Sequence, residues 1–352
     1  MIHRPLGRTG LMVSAIGLGC QSLGGGLYHR DDAEALRLVR RAVELGVTFF
    51  DTADHYSQGR SETVLGRALA GLGDRVVIAT KIGTSFPAGT RAALAMRDLV
   101  RPVGTALRPL RKLLQRYRFR QGRSDFSADA IRRSVEASLG RLRVEAIDLL
   151  QFHKPDAATM RAGMLFETAA RLQAEGKVRH YGVACVDLDD ALVAVEQPGV
   201  ATVQIAINCL EPTGLDRLTD AAAARGVAVI GRNPRAIGLL TDAHEETMGD
   251  ASAYGPHHAT RLAAARSLRG LIRPDRTLAQ AAIRHAVELP GVASVLPRAV
   301  TRAELDANLA SLDVPPLTPE DQELIARAQA MTAPLAGPIR QGSSASRKTA
   351  WT

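Results

Sequence analysis

Eight times along this chain a short apolar run is followed by a stretch with helical spacing of apolar residues. The runs cover residues 13–18, 47–50, 76–80, 146–152, 178–184, 200–207, 227–231 and 292–296. Helical stretches begin at about residues 31 and 61, then span 128–140, 161–175, 188–196, 214–224, 277–288 and 301–310. The first unit shows the grammar. Asp31 and Asp32 offer an N-cap and a favourable charge for the helix dipole, Leu36, Val39 and Val43 follow on one face, and Gly46 fits the position after the helix end. Many runs are apolar throughout, as strands covered on both faces require. Eight such units predict an α/β chain of the (β/α)8 TIM barrel type rather than an open doubly wound sheet.

Two connections are long, 84–127 after strand three and 232–276 after strand seven. Both follow strands, so both belong at the barrel face where catalytic loops gather. A further helix at about 319–331 forms a C-terminal extension, and the Gly/Ser/Arg-rich residues 333–352 read as a mobile tail. The expected organisation is one barrel domain over residues 1–332, with 84–127 as an insertion.

The net charge of +9 raises the question of nucleic acid. Its distribution argues against that. Residues 91–123 hold ten Arg or Lys against one acid, Asp98, which accounts for the whole excess. Leu99, Val100, Val103, Leu107, Leu110, Leu113 and Leu114 lie among those cations, and Pro102 and Pro109 limit any helix there to short pieces. Three readings stay open: a lid that covers the cofactor or draws in an acidic substrate, an amphipathic surface, or a solvated helix pair on the barrel rim. No apolar run is long enough to span a bilayer, and the N-terminus is too polar for a signal peptide. The three cysteines, Cys20, Cys185 and Cys209, are odd in number and widely spaced. This suggests a reducing, cytoplasmic setting and small packing groups in preference to redox or nucleophilic ones. No Cys or His spacing suggests a metal site.

Asp51, Lys81 and His153 stand at the ends of three successive strands, with Tyr56 just beyond the first. Adjacent strand tips of a parallel barrel lie side by side. A tyrosine titrates near pH 10, and a nearby ammonium favours its phenolate. Lys81 can supply that ammonium, Asp51 the counter-charge that a buried ammonium needs, and His153 a hydrogen bond or proton relay to a substrate oxygen. These groups suit proton transfer to a carbonyl oxygen.

The local motifs resemble those of the aldo-keto reductases. The stretch Asp51-Thr52-Ala53-Asp54-His55-Tyr56, followed by Gly59-Arg60-Ser61-Glu62 and Leu65-Gly66, is similar to the family signature. Ala79-Thr80-Lys81-Ile82-Gly83 resembles its lysine motif, and residues 148–156 (Asp148 to Asp156) its histidine motif. The resemblance covers roughly residues 3–312. It implies a TIM barrel that binds NADP(H) without a Rossmann domain, and hydride transfer to an aldehyde or ketone with Tyr56 as general acid.

The same resemblance points to cofactor positions, with departures. Gly182-Val183-Ala184-Cys185 stands where the family often has Gly-Val-Ser-Asn, so Cys185 lacks the amide that usually meets the nicotinamide carboxamide. Gln204 and Asn208 match the Gln-x-x-Tyr-Asn pattern, but Ile207 replaces its aromatic platform. Asn233-Pro234-Arg235 stands where Ser-Pro-Leu is frequent; Arg235 is either a pyrophosphate contact or a surface residue. Leu296-Pro297-Arg298-Ala299-Val300-Thr301, with Asn308, resembles the adenosine-phosphate site. Arg298 falls at the position that meets the 2′-phosphate, which favours NADP(H) over NAD(H).

The expected function is an NADP(H)-dependent oxidoreductase that reduces a small-molecule aldehyde or ketone, or oxidises the alcohol. The altered contacts at Cys185 and Ile207 keep an alternative open: a barrel with a tethered cofactor and redox-neutral chemistry, or a binding or regulatory subunit. The sequence does not specify the substrate or the oligomeric state.

Overall fold

The computed structural model of the chain describes residues 1–24, 32–85, 123–211, 214–241 and 257–333. The Asp31 cap, the body of the basic insertion (86–122), residues 242–256 of the loop after the seventh barrel strand, and the tail from 334 lie outside the described residues.

Two antiparallel strands, β1 (His3–Pro5) and β2 (Met12–Ser14), form an N-terminal hairpin. The barrel strands follow as β3 (Leu18–Gly19), β4 (Phe49–Asp51) and β5 (Val77–Ile82). A small hairpin, β6 (Thr84–Ser85) with β7 (Arg123–Ser124), sits at the root of the insertion. The barrel then continues through β8 (Ile147–His153), β9 (Val178–Ala184), β10 (Val200–Ala206), β11 (Ala228–Arg232) and β12 (Val292–Leu296). Among the described residues these make one eight-stranded parallel sheet in chain order from β3 to β12. Parallel bridges Ile16–Val295 and Gly19–Arg298 bring its two edges together, so the sheet closes into the expected (β/α)8 barrel.

The helices on the outside are α1 (Asp32–Glu44), α2 (Arg60–Ala68), α3 (Ala128–Leu142), α4 (Ala157–Arg161), α5 (Met164–Ala174), α6 (Leu188–Val195), α7 (Leu215–Ala224), α8 (His258–Ser267), α9 (Leu278–Glu288), α10 (Arg302–Leu309) and α11 (Pro319–Thr332). Their starts carry the expected chemistry. Ser127, Asp156, Asp187, Thr277, Thr301 and Thr318 each cap a helix by accepting a backbone N–H.

Two sequence expectations need correction. The apolar run 13–18 is not one strand. Its first half pairs antiparallel with His3–Pro5, Ile16 bridges Val295 of β12, and Leu18–Gly19 pairs with β4. Gly17 lies at the change of direction, where a β-carbon would stand 2.8 Å from both the Phe49 carbonyl and Leu296. The helix expected over 161–175 starts later, at Met164 of α5, because Gly163 takes a left-handed backbone (φ 78°) there, and the short helix α4 precedes it.

Side-chain parity sorts the barrel into two compartments. Inward-facing Phe49, Val77, Ala79, Leu149, Ala228 and Ile230 form a plug with Leu6 and Val13 of the hairpin. Outward-facing Phe50, Ile78, Leu150, Val203 and Val229 belong to the main core under the helices. Since side chains alternate along a strand, the next inward positions toward the C-terminal tips are Asp51, Lys81, Gln151, His153, Gln204 and Arg232. A polar layer thus sits directly on an apolar floor. A second apolar cluster, built from Leu210, Leu239, Leu268, Leu278 and Ile325 among others, fastens the C-terminal helix α11 beside the tips of β10 and β11.

Candidate active site

Asp51 is the centre of the polar layer. It is 4% exposed, and its carboxylate accepts from the Lys81 ammonium at 2.5 Å, from the Gln151 amide at 2.9 Å and from the Gln204 amide at 3.0 Å. Lys81 also donates to the Thr52 carbonyl at 3.0 Å, and its Nζ lies 5.3 Å from the Tyr56 ring centroid. Burial acts to lower the Lys81 pKa. The Asp51 carboxylate and the Tyr56 hydroxyl outweigh it, so the ammonium is held in its charged form.

The loop after β4 aims Tyr56. Asp54 N–H bonds the Lys81 carbonyl at 2.9 Å, and Tyr56 N–H the Ala53 carbonyl at 3.1 Å. Ser57, Gln58 and Gly59 then all adopt left-handed backbone (φ 47°, 59° and 85°) before α2 begins. Two of these are not glycine, which marks local strain held in place by the surroundings. At Gly59 a β-carbon would meet the Arg141 side chain at 2.5 Å.

The motif places Lys81 where it lowers the Tyr56 pKa. The structure corrects the net direction. Burial raises it more than Lys81 lowers it, with Asp51 adding to the rise. The phenol therefore stays protonated at neutral pH, the form a proton donor needs.

His153 stacks on His55 with ring centroids 4.7 Å apart, and His55 meets Tyr56 edge-on at 4.8 Å. Burial, then His55, Lys154, Lys81 and Arg232, holds the His153 pKa well below its usual value. A neutral imidazole follows at pH 7. Its Nδ1 and the Gln151 Oε1 are buried with no hydrogen-bond partner among the described residues. All four residues expected to form the acid–base site are thus gathered at one barrel end.

The expected cofactor positions fall into two groups. At the β12 tip, the Arg298 carbonyl accepts from Arg235 at 2.5 Å and from Asn308 at 3.2 Å. Thr301 caps α10, and the Glu304 carboxylate holds the Val300 N–H at 2.5 Å. Arg235, Arg298, Thr301 and Asn308 therefore gather at the β12 tip, Arg298 and Thr301 exposed, Arg235 half-buried and Asn308 buried. Nearer the tetrad, Gln204 spends its amide N–H on Asp51. Ile207 is buried in the main core with its side chain against Gly231. Cys185 turns its thiol to the Val183 carbonyl, and Asn233 takes a left-handed backbone (φ 55°) just past β11.

The thiols of Cys20, Cys185 and Cys209 are all buried, which raises their pKa values, that of Cys209 to about 12. They are protonated packing groups in this structure.

Sequence reasoning missed Gln151, His55, Lys154 and Arg232. Two of them carry a signal. Gln151 lies two residues after inward-facing Leu149, and Arg232 two after inward-facing Ile230. Parity alone places both in the polar layer.

The model of the aldo/keto reductase family matches residues 15–330, and the chain belongs to that family. It is 26% identical to an L-galactose dehydrogenase of Arabidopsis thaliana, over 94% of each chain. An NADH-specific methylglyoxal reductase of Escherichia coli is 29% identical over 67% of this chain and 68% of that one. Among solved structures, the holo form of an aldo-keto reductase from Bacillus halodurans superposes with a TM-score of 0.73 at 26% identity, over 93% of this chain and 96% of that one. The protein is an oxidoreductase of this family.

Proposed function

We propose that the protein reduces an aldehyde or ketone with NADP(H), or oxidises the corresponding alcohol, using Tyr56 as the general acid or base. The observation that carries this reading is the Asp51–Lys81–Tyr56 arrangement beside a neutral His153. When bound, the dinucleotide supplies a hydride to the carbonyl carbon. The chain's own part is to orient the carbonyl and manage its oxygen. His153 and Tyr56 offer hydrogen bonds to that oxygen, and Tyr56 gives up its phenolic proton as the alkoxide forms. Lys81, fixed by Asp51, stabilises the phenolate left behind. The C=O double bond becomes one C–H and one O–H bond.

The residues present fit a dinucleotide. Two buried polar atoms with no hydrogen-bond partner among the described residues, Gln151 Oε1 and His153 Nδ1, border the inner end. An exposed guanidinium at Arg298, beside the N-terminus of α10, supports phosphate at the outer end. In this reading Arg235, Thr301 and Asn308 hold the adenosine side, and Gln204, Asn233, Cys185 and Ile207 border the nicotinamide side. Arg298 favours NADP(H) over NAD(H). Three buried free thiols agree with a reducing, cytoplasmic setting.

The alternative of a redox-neutral or binding role draws only on Cys185 and Ile207, which carry neither the amide nor the aromatic ring of the family pattern and are both buried. Assay of NADPH and NADH consumption with a panel of aldehydes and ketones separates the two. Turnover with NADPH, weakened by Arg298→Ala more than turnover with NADH, is expected. Tight cofactor binding with no turnover of any carbonyl supports the alternative.

A further inference from the structure

Arg232 and Lys154 stand on either side of the β9 tip. Arg232 donates to the Cys185 carbonyl at 2.8 Å, and the Lys154 N–H bonds the adjacent Ala184 carbonyl at 2.9 Å. Lys154 holds a left-handed backbone (φ 62°), unusual for a side chain of this kind, immediately after β8. Arg232 is the last residue of β11, and the alternation from Ala228 and Ile230 turns it inward. Both side chains are partly buried, and among the described residues neither makes an ion pair with a carboxylate.

The carboxylates whose field Arg232 feels are Asp51 and Glu211, and both are engaged. Asp51 is held by Lys81, Gln151 and Gln204, and Glu211 by Arg261 at 3.2 Å. Two cations within each other's field in a partly dry site repel each other and cost desolvation energy. Their mutual field shows in Lys154, whose pKa burial, Arg232 and Lys81 bring down to about 8. An anionic ligand offsets both costs, and a guanidinium fork suits a carboxylate. The same two cations act on His153, so the anion they would hold lies beside the carbonyl site.

We infer that Arg232, with Lys154, binds an anionic group of the substrate, so that the favoured substrates are carbonyl compounds bearing a carboxylate. This rests on the carbonyl-reduction reading above and names its substrate class. Arg232 binds the carboxylate while Tyr56 and His153 hold the carbonyl oxygen.

The test compares 2-oxobutyrate and 4-oxopentanoate with their methyl esters, in the wild type, Arg232→Leu and Arg232→Lys. Wild type is expected to favour an acid over its ester in kcat/KM by at least about tenfold. Arg232→Leu is expected to collapse that ratio toward one, with Arg232→Lys between. Calorimetric titration of the same acids into protein saturated with NADP+, which cannot reduce them, gives a readout independent of turnover. The acids are expected to bind wild type, and Arg232→Leu to lose that binding. Equal use of acids and esters by wild type overturns the inference and leaves carbonyl reduction standing. Arg232-dependent acid binding with no turnover of any carbonyl keeps the anion site and overturns the reduction reading. Weakened NADPH binding in Arg232→Leu with an unchanged acid-to-ester ratio assigns the cations to the cofactor and also overturns the inference.

Discussion

The Lys81 ammonium meets the Asp51 carboxylate at 2.5 Å inside the barrel, with 2% and 6% of the two side chains exposed. So dry a pair is held by its neighbours as much as by its own attraction. Gln151 and Gln204 fill the second carboxylate oxygen, and the Thr52 carbonyl takes another ammonium proton. Neutralising one partner strands the other. Lys81→Met is expected to cost about 3–5 kcal/mol of stability, measured by urea unfolding. The double variant Asp51→Asn with Lys81→Met should recover most of that loss, while activity stays low in both.

The direction of the Tyr56 shift sets the pH behaviour. Because burial raises its pKa above the ordinary 10, the phenol is protonated through the neutral and mildly alkaline range. Reduction of an uncharged aldehyde or ketone is expected to show no fall in kcat/KM between about pH 7 and 9. Alcohol oxidation needs the phenolate and should rise with pH across the same range. His153, held well below 6.5, stays neutral and should add no inflection near pH 6.5. Steady-state pH profiles in both directions check these signs.

His285 in α9 makes stability depend on acid. It is 6% exposed, and burial lowers its pKa from 6.5 to about 4. The folded state therefore keeps it neutral where the unfolded chain takes up a proton. Its contribution is present above pH 6.5 and is lost as pH falls toward 4, at up to about 1.4 kcal/mol per pH unit. In His285→Gln the unfolding free energy should depend less on pH across that window than in the wild type.

The C-terminal helix is anchored by one carboxylate. Asp321 is 1% exposed and accepts from Arg276 at 2.7 Å and from Arg273 at 2.9 Å, and it closes the capping box of α11. Asp321→Asn leaves the buried Arg276 without its charge partner and is expected to cost about 3–5 kcal/mol. Thermal unfolding of the variant, with Arg273→Ala as the exposed-partner control, should show the larger loss for Asp321.

Much of this architecture was legible because barrel strands and their helices are written in local patterns. Runs such as 178–184 and 292–296 match the observed strands residue for residue. The run 13–18 misled because an apolar stretch does not say where it turns, and the antiparallel partner His3–Pro5 is itself not apolar. Asp51, Lys81, Tyr56 and His153 were legible as strand-tip residues in motifs. Strand parity places Gln151 and Arg232 in the same layer, but their partners, far away in sequence, do not show in it. The Tyr56 shift escaped for a related reason. A neighbouring ammonium can be read from a motif, whereas the burial that outweighs it belongs to the assembled barrel.

Single-turnover reduction of an aldehyde by protein preloaded with NADPH, followed for wild type and Tyr56→Phe, tests the central claim most directly. With Tyr56 as proton donor, the rate should fall by about 10²–10⁴-fold. Equilibrium binding of NADPH, titrated in parallel, should stay nearly unchanged. Equal single-turnover rates in the two proteins would contradict the account.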